Sequence, residues 1–151
     1  EGIKYTSPSM NGWTLAASLG ENSSNADRVA SYAVSGSIAG VGIAAGAVDT
    51  GTANDDSFMT LGYSVAGVGL GYGSYDSGTD TVAAYSVTTD VAGFSVGFRY
   101  DDLDAAAAAN DNSMNTYSVG KDLGGLSLTL MYQDQDLADN SRWDLVYAMG
   151  F

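Results

Sequence analysis

The chain of 151 residues is strongly acidic, with 18 Asp and Glu against 5 Lys and Arg and a formal net charge of −13. This charge excludes nucleic acid as a partner, because binding to phosphates requires clustered basic residues. The chain has no His and no Cys, which excludes a Ser-His triad, a Cys-His pair and a His-ligated zinc site within it. We therefore predict that it is not an enzyme.

Apolar and polar residues are interleaved along the chain, since 45% of the residues are apolar although the mean hydropathy is −0.01. No apolar run approaches the length of about 18 residues that a transmembrane helix requires. The first residues, Glu1 to Lys4, lack the apolar core of a signal peptide. We expect any export signal to be absent from this chain.

Short glycine-containing turns divide the chain into hairpins, near residues 8–12, 38–40, 65–67, 91–93 and 123–125. Apolar and polar residues alternate before and after each turn, which is the pattern of β-strands joined by tight turns. We predict eleven strands, at residues 2–7, 12–20, 28–37, 40–49, 57–65, 67–75, 80–90, 93–101, 114–122, 125–134 and 141–151.

Longer polar segments, rich in Asp, Asn and Ser, separate the hairpins at residues 20–27, 49–57, 76–80, 101–113 and 134–141. Short turns at one end of the strands and long loops at the other are typical of outer-membrane β-barrels. We therefore predict an all-β fold, an antiparallel transmembrane β-barrel in which residues 1–151 belong to a single domain. The short turns would be periplasmic and the long loops external.

The last strand shows the two faces most clearly, because Trp143, Leu145 and Tyr147 alternate with Arg142, Asp144 and Val146. Aromatic residues on an apolar face gather at membrane interfaces, whereas the core of a soluble sandwich, the alternative reading, is mostly aliphatic. We predict two girdles of interfacial aromatic residues. Near the short turns these are Trp13, Phe94 and Phe151, and toward the long loops they are Tyr72, Tyr100, Tyr132 and Trp143.

The opposite face carries small and polar residues, which would bury too little apolar area for a soluble core and suit a water-filled lumen. A charge that faces lipid at mid-bilayer costs about 2–4 kcal/mol, so we expect most basic residues to point into the lumen. Lys121 is the exception, since it has the parity of the apolar face beside a short turn. The predicted pore-lining residues are Lys4, Thr14, Arg28, Arg99, Thr129, Gln133, Arg142 and Asp144.

An odd number of strands is unexpected, because bacterial single-chain barrels have an even number and an unpaired edge cannot face lipid. We therefore expect the chain to be part of a larger barrel. The last strand, ending at Phe151, would close that barrel against a first strand that this chain lacks.

The segment from Gly2 to Trp13, GIKYTSPSMNGW, resembles the V-[RK]-Y-x-S-P-x-F-x-G-F hairpin of Gram-negative general porins, especially the neisserial, Burkholderia and Rhodobacter-like types. In this hairpin, Met10 and Trp13 stand where the family usually has Phe. The last strand, from Trp143 to Phe151, also resembles the last strand of these porins. The resemblance implies a sixteen-stranded homotrimeric barrel in the bacterial outer membrane, surrounded by lipid and lipopolysaccharide. This chain would be the part that follows the inward-folded constriction loop.

In porins that this chain resembles, basic residues of the wall oppose acidic residues of the constriction loop. The resemblance implies this role for Lys4 and Arg99, and the other reading is that they balance nearby Asp residues. Asp101, Asp102 and Asp104 offer oxygen ligands of the kind that Ca²⁺ prefers. A loop-bound calcium ion, or a divalent bridge to lipopolysaccharide phosphates, is therefore one reading of this loop, and solvated carboxylates are the other. We expect no other cofactor.

We predict a water-filled channel for passive diffusion of ions and small hydrophilic solutes. The acidic loops should concentrate cations at the outer mouth and make the channel weakly cation-selective. The alternative is a structural or adhesive surface β protein without a transport role.

Overall fold

The computed structural model describes residues 2–21, 28–51, 55–136 and 140–149. A short 3-10 helix covers Ala108–Asn110 in one connection. None of the helical structure in these ranges is long and apolar enough to cross a membrane. The strands are β1 (Ile3–Thr6), β2 (Thr14–Glu21), β3 (Arg28–Ile38), β4 (Val41–Asp49), β5 (Asp56–Val65), β6 (Val68–Asp76), β7 (Thr81–Val91), β8 (Phe94–Asp104), β9 (Asn112–Asp122), β10 (Leu126–Gln135) and β11 (Asn140–Met149).

The strands form one antiparallel sheet in which each strand pairs with its neighbours in the chain. The predicted all-β, antiparallel fold with eleven strands is thereby confirmed. The sheet is open over the described residues, with β1 at one edge and β11 at the other.

The largest difference from the predicted strand bounds is at β8, and β9 is extended beside it. Residues 101–104 and 112–113 were expected in an external loop, yet they continue the two strands and Leu103 pairs with Asn112. The backbone ladder extends past the point where the sequence becomes acidic, because backbone hydrogen bonds do not depend on side-chain polarity.

The short connections share one backbone conformation. Asn11, Ala39, Ala66 and Ala92 have φ between 50° and 53°, and each is followed by a glycine with φ between 77° and 83°. Positive φ at both central positions defines the type I′ turn, whose twist matches that of the flanking strands. The remaining short connection uses Gly124 and Gly125, both with positive φ. We call the end of the sheet with these connections the turn end and the opposite one the loop end.

No second layer packs against the sheet within the part of the chain that the structure describes. Among the described residues, Ala30 is the one buried apolar residue and no polar residue is buried. Trp143, Leu145 and Tyr147 are each 67% exposed, although a soluble sandwich would cover such side chains with a facing sheet. One face of the sheet therefore presents large apolar side chains that no described residue covers.

Candidate channel wall

The strand register sorts the side chains into two faces. Arg99 pairs with Thr116, Thr116 with Gln133, and Gln133 with Arg142. Directly paired residues point to the same side of a sheet, so these four residues, which we call the charged row, lie together. We call this side of the sheet the polar face. By the same strand pairings, it also holds four more of the predicted pore-lining residues: Lys4, Thr14, Thr129 and Asp144.

Arg28 is the exception among the predicted pore-lining residues. Ser31 pairs with Ser18 on the polar face, so alternation along β3 places Arg28 on the other side, with Ala30 and Tyr32. The prediction that Arg28 lies on the same face as Lys4 is wrong. It followed from the position of Arg28 at the start of a strand rather than from its parity. Because Arg28 lies at the loop end, its charge does not need a lumen to avoid mid-bilayer lipid.

Each arginine of the charged row is close to the aspartate two residues later in its own strand. Arg99 Nε donates to both carboxylate oxygens of Asp101, at 2.8 and 2.9 Å. Arg142 Nε lies 2.9 Å from Asp144 Oδ2 but donates to Gln133 Oε1 at 2.6 Å, which leaves Asp144 Oδ2 without a hydrogen bond. Both guanidinium charges are therefore neutralised locally.

The two carboxylates lie on opposite sides of the charged row. β8 and β11 run in opposite directions, since each strand is antiparallel to the next. Asp101 therefore lies toward the loop end from Arg99, and Asp144 lies toward the turn end from Arg142. Lys4 lies on β1, many strands away, so the structure does not bring Lys4 and Arg99 into contact.

The apolar face carries two rows of aromatic rings. In the first row, the ring centroid of Tyr85 lies 5.2 Å from that of Tyr72 and 6.4 Å from that of Tyr100. A second row has centroid separations of 5.2, 6.3 and 4.8 Å and contains Phe98, Tyr117, Tyr132 and Trp143. We call these seven residues the aromatic stripe. Sequence reasoning named Tyr72, Tyr100, Tyr132 and Trp143 and missed the other three, although they have the same strand parity.

Two of the three aromatic residues predicted near the short turns, Trp13 and Phe94, also belong to the apolar face. The ring of Trp13 lies against Gly36, where a Cβ would overlap it. The Lys121 ammonium lies 4.1 Å from the centroid of the Phe94 ring, at the turn end, where such a contact is a cation–π interaction. Phe151 lies outside the described residues.

The three carboxylates that one reading of the sequence assigns to a divalent-ion site do not converge. Asp101, Asp102 and Asp104 belong to β8 rather than to a loop, and alternation directs Asp101 to the polar face and the other two to the apolar face. Nowhere in the described ranges do three or more acidic side chains come together in a way that could hold a metal ion. A loop site made by these three residues is therefore not formed.

Comparison with known proteins gives the same fold. A porin structure refined at 1.8 Å resolution matches 98% of this chain with a TM-score of 0.76 and 16% identity. Pseudomonas aeruginosa OccK10 (OpdN) matches 89% of it with a TM-score of 0.63 and 14% identity. The chain spans 60% and 48% of these two structures. No curated protein sequence matches it.

A family model described as Gram-negative porin matches residues 1–150, which confirms the family indicated by the Gly2–Trp13 hairpin and the last strand. The antiparallel sheet also agrees with the fold of the porin structures. The chain therefore belongs to the family of Gram-negative porins, which are proteins of the bacterial outer membrane.

Proposed function

We propose that this chain forms part of the wall of a water-filled channel, through which ions and small hydrophilic solutes diffuse passively across the outer membrane. The observation that carries the proposal is the separation of the two faces. One face holds the charged row and many small residues, and the other holds the aromatic stripe and exposed aliphatic side chains. Water solvates the first favourably and lipid the second.

The charges of the polar face favour cations. Arg99 and Arg142 are each paired with a carboxylate, whereas Asp56, Asp90 and Asp122 on the same face make no ion pair with any described residue. Lys4 is the other basic residue on this face. The acids therefore outweigh the bases along the wall, and we propose weak cation selectivity.

Planar-bilayer recordings of the full-length protein test this proposal. We expect stepwise openings with ohmic conductance, and a reversal potential in a KCl gradient whose sign indicates preference for K⁺. A clear preference for Cl⁻ would refute the selectivity. A correctly assembled protein that shows no openings would refute the channel and favour the structural or adhesive alternative.

The assembly is also part of the proposal. The open edges at β1 and β11 would leave backbone groups without hydrogen-bond partners, and each such group in lipid costs several kcal/mol. We infer that further strands close the barrel, and that three barrels associate in the membrane with lipid and lipopolysaccharide around them, as is typical of the family. Light scattering of the detergent-extracted protein, corrected for bound detergent, should give a mass three times that of one polypeptide.

A further inference from the structure

Four large apolar side chains interrupt the polar face at the loop end. Phe58 pairs with Tyr75, Tyr75 with Val82, and Val82 with Leu103. They belong to the four consecutive strands β5 to β8, and each lies next to the loop end of its strand. We call them the apolar strip. Because the other residues that these strands place on this face are mostly Gly, Ala, Ser and Thr, a contiguous apolar surface here is unexpected for a wall that contacts only water.

Phe58 and Tyr75 are held in place while their rings stay accessible. The Phe58 ring lies over Gly46 of the neighbouring strand, where a Cβ would come within 2.5 Å of Phe58 Cε1. The Tyr75 hydroxyl lies beside the Asp56 carboxylate of the neighbouring strand β5. Phe58 is 38% exposed and Tyr75 is 44% exposed. The Phe58 and Tyr75 rings therefore present an accessible apolar surface along the polar face.

The charge beside the apolar strip is negative. Asp56 lies two residues before Phe58 on the same face, and within the described residues it makes no ion pair. The guanidinium of Arg99, the basic residue of this face on β8, is held by Asp101 at 2.5 Å. The site therefore combines exposed aromatic rings with an unneutralised carboxylate.

We propose that the apolar strip binds solutes that combine an aromatic group with a positive charge, of the aromatic ammonium class, as they enter the channel. The aromatic group would pack on Phe58 and Tyr75, where ring contacts add to the burial of apolar area. The ammonium would lie beside the Asp56 carboxylate and the faces of the Phe58 and Tyr75 rings, since carboxylates and aromatic ring faces attract cations. This inference rests on the proposed function, because it requires the polar face to line a water-filled channel.

Channel block by two small cations tests the proposal in the full-length protein. Added on the loop side, 2-phenylethylammonium should reduce the single-channel current at a half-blocking concentration well below that of ethylammonium. In Phe58→Ser, this concentration should rise by roughly threefold to tenfold for 2-phenylethylammonium, as expected for loss of one ring contact, and should not change for ethylammonium. Asp56→Asn should raise it by about twofold to fivefold, as an exposed charge pair would.

Val146→Thr is the matched control, because it removes an apolar side chain from the polar face at a distance from the apolar strip. Its half-blocking concentrations should equal those of the unmodified protein. If Phe58→Ser does not assemble, Phe58→Leu keeps the side-chain bulk and removes the ring, and the same rise is expected.

The outcomes separate this inference from the proposed function. Absence of any channel openings overturns both. Two other results overturn the apolar strip as a binding site and leave the channel intact. In the first, the channel opens and the two cations block it equally. In the second, neither Phe58 variant weakens the block by 2-phenylethylammonium.

Discussion

The two halves of the sheet use the same strand and turn pattern to build different surfaces. In β6 to β11 the apolar face carries the aromatic stripe, and the polar face carries both arginine–aspartate pairs found in the described residues. In β1 to β4 the apolar face forms a shallow groove lined by Tyr5, Tyr32 and small residues that include Ala17, Ala45 and Ala47. Alternation therefore determines which side a residue faces, whereas the residue types determine what each side can do.

The largest expected effect comes from a charge placed in the middle of the apolar face. Leu130→Arg in β10 should reduce the free energy of unfolding by about 2–4 kcal/mol, the usual cost of a lipid-facing charge near mid-bilayer. Urea-induced unfolding in lipid vesicles, followed by tryptophan fluorescence, measures this change. Met131 is the next residue of the strand and points to the polar face. Met131→Arg should therefore change the free energy of unfolding by less than about 1 kcal/mol.

The same substitution in the first half sharpens the comparison. Ala45→Arg lies in the middle of β4 on the apolar face. If the groove faces lipid as the aromatic stripe does, its cost should match that of Leu130→Arg. A cost similar to that of Met131→Arg would show that the groove is not in contact with lipid.

The next effect concerns the rings. Tyr117 contacts both Phe98 and Tyr132, with centroid separations of 5.2 and 6.3 Å. Tyr117→Leu should therefore lower the free energy of unfolding by about 1–2 kcal/mol, since aromatic pairs contribute about 0.5–1.5 kcal/mol each beyond burial. Tyr32→Leu is the control on the apolar face of the first half, and its effect should be smaller. Equal losses in the vesicle unfolding assay would contradict a stabilising role for the ring contacts.

The turns should respond alike in both halves. Ala39, Ala66 and Ala92 occupy the left-handed region, which costs an ordinary L-residue roughly 1–2 kcal/mol and suits Asn better. Changing any one of them to Asn should raise the free energy of unfolding by about 0.5–1 kcal/mol. If Ala39→Asn and Ala92→Asn differ markedly in thermal unfolding of the purified protein, the halves differ in backbone as well as in surface.

The smallest effect on stability should come from the charged row. The Arg99–Asp101 pair joins an arginine whose side chain is 57% exposed to an aspartate that is 13% exposed, so Arg99→Gln should cost about 1 kcal/mol or less. Its consequence for selectivity is larger, because Asp101 loses its counter-charge. Reversal potentials should shift toward cations in Arg99→Gln and toward anions in Asp101→Asn. Identical shifts in both variants would contradict a lumen position for this pair.

The sequence was sufficient for the strands, because alternation and glycine turns are local signals. Arg28 was assigned to the wrong face although its own parity, counted from Ser31, was sufficient to place it. Phe58 and Tyr75 were missed for a similar reason, since alternation counted from Tyr72 on the apolar face was sufficient to place Tyr75 on the polar face.

Other features depend on register and could not be read from the sequence. The contact between Tyr72 and Tyr85 requires β6 and β7 to be aligned, and local propensity does not determine that alignment. The extension of β8 to Asp104 likewise depends on the pairing of Leu103 with Asn112. Three carboxylates close in sequence therefore appeared to form a cluster, whereas the pleat of an extended strand separates them.

The two-residue turns have a consequence for how such a wall can change in evolution. A shift of one residue in the pairing register of any hairpin would turn its outward-facing residues inward. A two-residue I′ turn has no extra residue that would permit such a shift. Each hairpin therefore carries its own alignment, independent of the loops that connect it to the next. Duplicating or deleting a whole hairpin would change the circumference of the pore by two strands and leave the inside and outside of every other strand as they were.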